Sequence, residues 1–117
     1  MSKEEEQRRA AEDYRTAIEK SVENDDQIGQ YAYNENWNAT EAERLRERGR
    51  ELDENESAAK ERYEELNCEE VTGLDADSYR HEVISEKVDR EMEEERERKR
   101  AELAERMQNA NENSNHL

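Results

Sequence analysis

Carboxylates are the reactive groups this chain offers most. Asp and Glu number 35 of 117 residues against 19 Lys and Arg, giving a formal net charge of −16. Two carboxylates work as general acid and base only where a pocket drives their pKa values apart, and no stretch marks such a pocket. His81 follows Asp77 by one helical turn, as a metal or proton-relay pair would, yet no further His or Cys lies at ligand spacing. His116 stands near the C-terminus. Cys68 is the single cysteine, so no disulfide framework forms and a reducing compartment fits. Its neighbours Glu69 and Glu70 raise its pKa, so an inert thiol is expected. Glu23-Asn24-Asp25-Asp26 lacks the ligand spacing and glycine of a calcium loop, and no Gly-rich phosphate loop occurs. The expectation is a non-enzyme with no catalytic residues, no cofactor and no metal.

Binding is the chemistry left for the carboxylates, and one helix sorts them. Between Thr40 and Asn67, Ala42, Leu45, Gly49, Leu52, Glu56, Ala59, Tyr63 and Leu66 recur three and four apart. That is a coiled-coil seam with a gap at Gly49 and a charge at Glu56. The opposite side carries Glu43, Glu47, Glu51, Glu54, Ala58, Glu61, Glu65 and Glu69, with no base among them. Arg44, Arg46, Arg48, Arg50 and Arg62 fall on the flanks. The ribbon spans ~39 Å at helical rise, with successive carboxylates ~6 Å apart. One strand of B-DNA presents a phosphate every ~3.4 Å of axis, so the ribbon is sparser than a strand. A second acidic helix or a second chain alongside would bring it closer. The bland reading is a solvated helix face.

Upstream, Tyr31, Tyr33 and Trp37 place half of the six aromatic residues within seven positions. Structurally they cover the corner between two helices and supply the main apolar mass. Functionally they make an aromatic anchor for a partner.

Small size, helical character, strong acidity and the lack of catalytic motifs resemble the proteins by which phages block restriction, nuclease or CRISPR systems through DNA mimicry. The resemblance is one of composition and surface over the whole chain. It implies an inhibitor acting on a basic, nucleic-acid-binding host protein in the cytoplasm. Under that reading Glu43, Glu47, Glu51, Glu54, Glu61, Glu65 and Glu69 supply the charge, and Tyr31, Tyr33 or Trp37 the anchor. The alternative is a coiled-coil scaffold or assembly adaptor that works through its seam, its acidity serving solubility. Adaptation to high salt is a third explanation, but Glu outnumbers Asp 28 to 7.

The elements that must hold these residues are helices. Pro is absent and Gly occurs three times, so little interrupts a helix. Leu, Ile, Val and Phe total only 13, too few for a conventional core, so homodimer formation is expected to complete the burial. Ser2 and Glu5 form a capping box for a first helix that breaks near Asp25 or runs kinked to Tyr33. Thr40, with Glu43, caps the second, which runs to Asn67. Val71, Thr72 and Gly73 connect to a third, capped by Asp75. Tyr79 and Val83, and beside them Ile84, Val88 and Met92, open that helix with two apolar rows for the two other helices. Glu93 to Arg100 is wholly charged, and Leu103 and Met107 then suit a partner chain. The expected fold is all-α: three helices, or four, in a small antiparallel bundle or coiled coil, the third long and projecting. Residues 1–108 form one helical domain and 109–117 a polar disordered tail. Acidity spread along the chain argues against direct binding to nucleic acid or anionic membrane. Nothing resembles a membrane span, and the first residues carry no apolar run of a signal peptide.

Overall fold

The computed structural model describes residues 2–32 and 37–114, with side chains described as far as residue 112. The fold is all-α. Helix α1 spans Lys3–Ala32, α2 Ala39–Glu65, the single turn α3 Glu69–Thr72, and α4 Ala76–Ser114. The chain divides into two units, Met1–Ile84 and Ser85–Leu117.

In the first unit each long helix begins on a side-chain cap. Ser2 Oγ accepts the Glu5 N–H at 3.2 Å, Asn38 Oδ1 that of Glu41 at 2.8 Å, and Asp75 Oδ1 that of Ser78 at 2.7 Å. The Ser78 bond holds the Asp75 carboxyl below its usual pKa. Thr40 does not cap α2; it lies in the first turn. Asn38 takes that role because its extended backbone (φ −136°, ψ 149°) swings its side chain back over the first turn.

Helix α1 does not break at Asp25. It is continuous through Asn24-Asp25-Asp26 because Asn24 points into the interface with α2 instead of capping a new helix. Asn24 is buried, and its Nδ2 donates to the Leu45 carbonyl at 3.2 Å. A Cβ on Gly49 would approach that nitrogen to 3.2 Å. The missing side chain in the seam is thus the space Asn24 fills.

Helix α2 stops at Glu65, short of Asn67. The Asn67 N–H bonds to Glu64 O and the Cys68 N–H to Tyr63 O, at 3.1 and 3.0 Å. Asn67 is left-handed at φ 52°. This is the Schellman termination, in which Asn stands in for Gly. Buried Gln7 of α1 completes it, donating Nε2 to the carbonyls of Leu66 (2.9 Å) and Asn67 (3.2 Å). These contacts at one end, and Asn24–Leu45 towards the other, set α1 and α2 antiparallel. The reversal turns Cys68 into the core, where its Sγ donates to the Gln7 carbonyl at 3.2 Å. Burial, rather than Glu69 and Glu70, pushes the thiol pKa up.

With so few aliphatics, the centre is built from tyrosine. Tyr14 of α1, Tyr63 of α2 and Tyr79 of α4 pack ring against ring, with centroids 5.1–5.8 Å apart. Such pairs add ~0.5–1.5 kcal/mol beyond the area they bury. The hydroxyls reach polar partners: Tyr63 donates to Leu74 O at 2.6 Å and Tyr79 to Ala11 O at 2.9 Å. Tyr14 is fully buried, and desolvation followed by the nearby Glu56 charge lifts its pKa to about 12. Ile18 and Val83 fill the space around the rings, while Ala10, Ala11 and Ala76 let the backbones approach. The main apolar mass is therefore not the Tyr31–Trp37 corner, since Trp37 is 53% exposed. Tyr31 lies in the last turn of α1 and Trp37 just before α2, and the three-helix centre lies elsewhere.

The second unit consists of the rest of α4, and its side chains are solvent-exposed apart from half-buried Lys87. Lys87–Glu91, Arg96–Glu93 (3.9 Å) and Lys99–Glu95 (3.2 Å) pair along its surface. Each contributes ~0.2–0.5 kcal/mol. The row expected to pack on the other helices reaches only Ile84, which lies against the core; Val88 and Met92 are exposed. No helix of the described residues is long and apolar enough to cross a membrane.

Candidate protein-docking face

The two sides of α2 separate as its periodicity requires. All eight seam positions are buried or half-buried, and the ribbon carboxylates Glu43, Glu47, Glu51, Glu54, Glu61 and Glu65 are all exposed. A seam in 3-4 spacing must face its neighbours, so the side half a turn away faces water. One seam charge has a dedicated partner. Glu56 accepts from Arg80 Nε of α4 at 3.0 Å, its side chain only 16% exposed. That pair ties α2 to the start of α4 beside the tyrosine rings.

Only Glu43 among the ribbon carboxylates engages a base among the described residues. Arg50 lies 3.6 Å and Arg46 4.0 Å from it. Glu47, Glu51, Glu54, Glu61 and Glu65 have no ion pair within 4 Å there. The helix therefore spends little of the ribbon's charge on itself. Arg44 is drawn to Glu41 instead, at 2.5 Å. Glu69 is exposed but belongs to α3, beyond the Schellman turn, so the ribbon on α2 ends at Glu65. The signal for that ending is Asn67 at a helix terminus, where Asn tolerates the left-handed region.

At its N-terminal end the ribbon borders a groove between α1 and α2. Glu47 and Glu51 share its wall with Gln27, Leu45, Arg44 and Arg48. The groove continues past Gln30 and half-buried Tyr31 to Glu41. Tyr31 Oη accepts the Asn38 N–H at 2.8 Å, tying the aromatic ring to the capping residue. Tyr31, Glu47 and Glu51 are thus brought to one groove, while Glu61 and Glu65 lie several turns away along α2. Trp37 stands exposed just before the Asn38 cap; Tyr33 lies outside the described residues.

The seam side of α2 faces α1, and the ribbon reaches α1 only at Glu47 and Glu51, across the groove that Gln27 also lines. Among the described residues no group of three or more His, Cys, Asp or Glu is placed to hold a metal ion. His81 is exposed. No family model, curated protein or solved structure matches this chain.

Proposed function

We propose that this chain is a non-enzymatic acidic inhibitor that docks the exposed face of α2 on a basic, nucleic-acid-binding protein. Restriction enzymes, nucleases and CRISPR effectors are the candidate targets, and the face competes there with DNA. The observation that carries the reading is the row Glu47, Glu51, Glu54, Glu61 and Glu65, exposed and without an ion pair among the described residues. Solvated helix faces commonly neutralise themselves with partners three or four residues away. Here Arg44 goes to Glu41 and Arg46 and Arg50 to Glu43, so three of the five flanking arginines gather at one end and the ribbon beyond Glu43 is left unmatched. The row from Glu43 to Glu65 is ~33 Å long at helical rise, about one helical turn of B-DNA at ~34–36 Å. Tyr31 and Trp37 at its end supply apolar contact of the kind that concentrates binding energy.

The test replaces Glu47, Glu51 and Glu54 together by Gln, which keeps size and helix propensity. Inhibition of DNA cleavage is then measured for a restriction endonuclease, a non-specific nuclease and a CRISPR effector across a salt series. Inhibition by the wild-type chain that weakens with salt, and a variant with at least ~10-fold weaker inhibition and a shallower salt dependence, is the expected result. Equal potency and equal salt dependence for both chains would overturn the reading.

A further inference from the structure

Four of the five large apolar side chains exposed among the described residues lie in the second unit. They are Val88 (45%), Met92 (47%), Leu103 (59%) and Met107 (61%). At 3.6 residues per turn they fall within an arc of about 100°. Their spacings are four, eleven and four residues, so the row reads the same from either end. Eleven residues make three turns with little drift, so the gap does not rotate the row off its face. Arg96 and Lys99 bridge the gap on that same face.

We infer that residues 88–107 pair antiparallel with the same stretch of a second copy of this chain. Val88 meets the partner's Met107, and Met92 meets the partner's Leu103, each twice by symmetry. The palindromic spacing is one argument for a second copy as the occupant. Charge is the other. A parallel, in-register pair would also match the apolar rows, but it sets Glu93, Glu94 and Glu95 against their own copies and Arg98, Lys99 and Arg100 against theirs. Reversal brings Glu93 near the partner's Arg100, Glu95 near the partner's Arg98 and Glu91 near the partner's Arg106. Each offset is two residues, within reach of these long side chains, and flanking charges of this kind set orientation in paired helices. The register also sets Arg96 opposite the partner's Lys99, and the exposed pairs Arg96–Glu93 and Lys99–Glu95 within each chain, at 3.9 and 3.2 Å, offset the charge of those two bases. The overlap is ~30 Å long and holds four apolar layers around a charged centre.

The experiment uses full-length chains. Met92→Cys and Leu103→Cys chains are mixed in equal amounts and oxidised, with the wild-type chain, whose Cys68 is buried, as the blank. The antiparallel register predicts that the 92–103 mixed disulfide makes up well over half of the crosslinked product. Sedimentation equilibrium of the wild-type chain shifts from monomer to dimer mass with concentration. Met92→Glu, checked for retained helix by circular dichroism, weakens that association at least ~10-fold. Disulfides joining identical positions in equal or greater yield would overturn the register, and monomer mass up to about 1 mM would overturn the pairing itself.

Discussion

Among single residues, Asn24 and Gly49 explain one another. The seam of α2 is legible in the sequence as a three-and-four spacing, and so is the hole at Gly49. What fills the hole is not, because the register between two helices cannot be read from either one alone. Asn24 looks like a turn residue beside Asp25 and Asp26, yet it is buried with its Nδ2 on Leu45 and its Oδ1 without a partner. Replacing an exposed helical Gly by Ala adds ~1 kcal/mol of helix stability. Here the new methyl presses on the Asn24 amide at 3.2 Å, in a packed interface with little room to give. Gly49→Ala alone is therefore expected to fall short of that gain, and to recover it when Asn24 is also Ala. Urea unfolding of the two single variants and the double variant should give a coupling of about 1 kcal/mol in favour of the double variant. Additive effects would mean the two residues do not share the space.

For the elements, the sequence carried the helices better than their ends. Asn38 and Thr40 are both good caps, and each has a Glu three residues on, Glu41 and Glu43. Propensity cannot choose between them; the extended backbone at Asn38 does. Asn38→Ala should destabilise the fold by about 1 kcal/mol, while Thr40→Ala, inside the first turn, should change it by less than ~0.5 kcal/mol. Chemical denaturation of both variants separates the two assignments. The ribbon was legible as far as Glu65 for the same reason as the seam, since both follow one period. The break between Glu65 and Glu69 is not legible locally, because the reversal at Asn67 depends on Gln7 reaching across sixty residues to donate to the free carbonyls. The aromatic core shared that obscurity. Tyr14, Tyr63 and Tyr79 are far apart in sequence and only the packing of three helices brings them together, whereas Tyr31, Tyr33 and Trp37 are neighbours along the chain.

On the scale of the whole molecule, charge sets the conditions of stability. Of the net −16, residues 1–84 carry −13 and residues 85–117 carry −3. The first unit thus holds a small core of tyrosine, alanine and a few aliphatics under strong self-repulsion. Its ion pairs are largely exposed, including Lys3–Glu70 at 3.5 Å and Lys60–Asp77 at 2.9 Å, and each is worth little. Screening should therefore relieve more repulsion than it removes attraction. Raising NaCl from ~0.05 to ~0.5 M shortens the Debye length from above 10 Å to about 4 Å. It should stabilise the fold by about 1 kcal/mol in urea titrations, where the denaturant adds no ions. A fall in stability with salt would assign the ion pairs the larger part.

The placement of the aromatic residues also decides how this molecule can be watched. Its single tryptophan stands in water beside the α2 cap, and three of its five tyrosines are locked together at the centre. Tryptophan emission will hardly notice unfolding but will shift when something covers Trp37. The near-ultraviolet circular dichroism of the tyrosine trio will do the reverse. Occupancy and folding can thus be followed in one unlabelled sample through two separate optical channels.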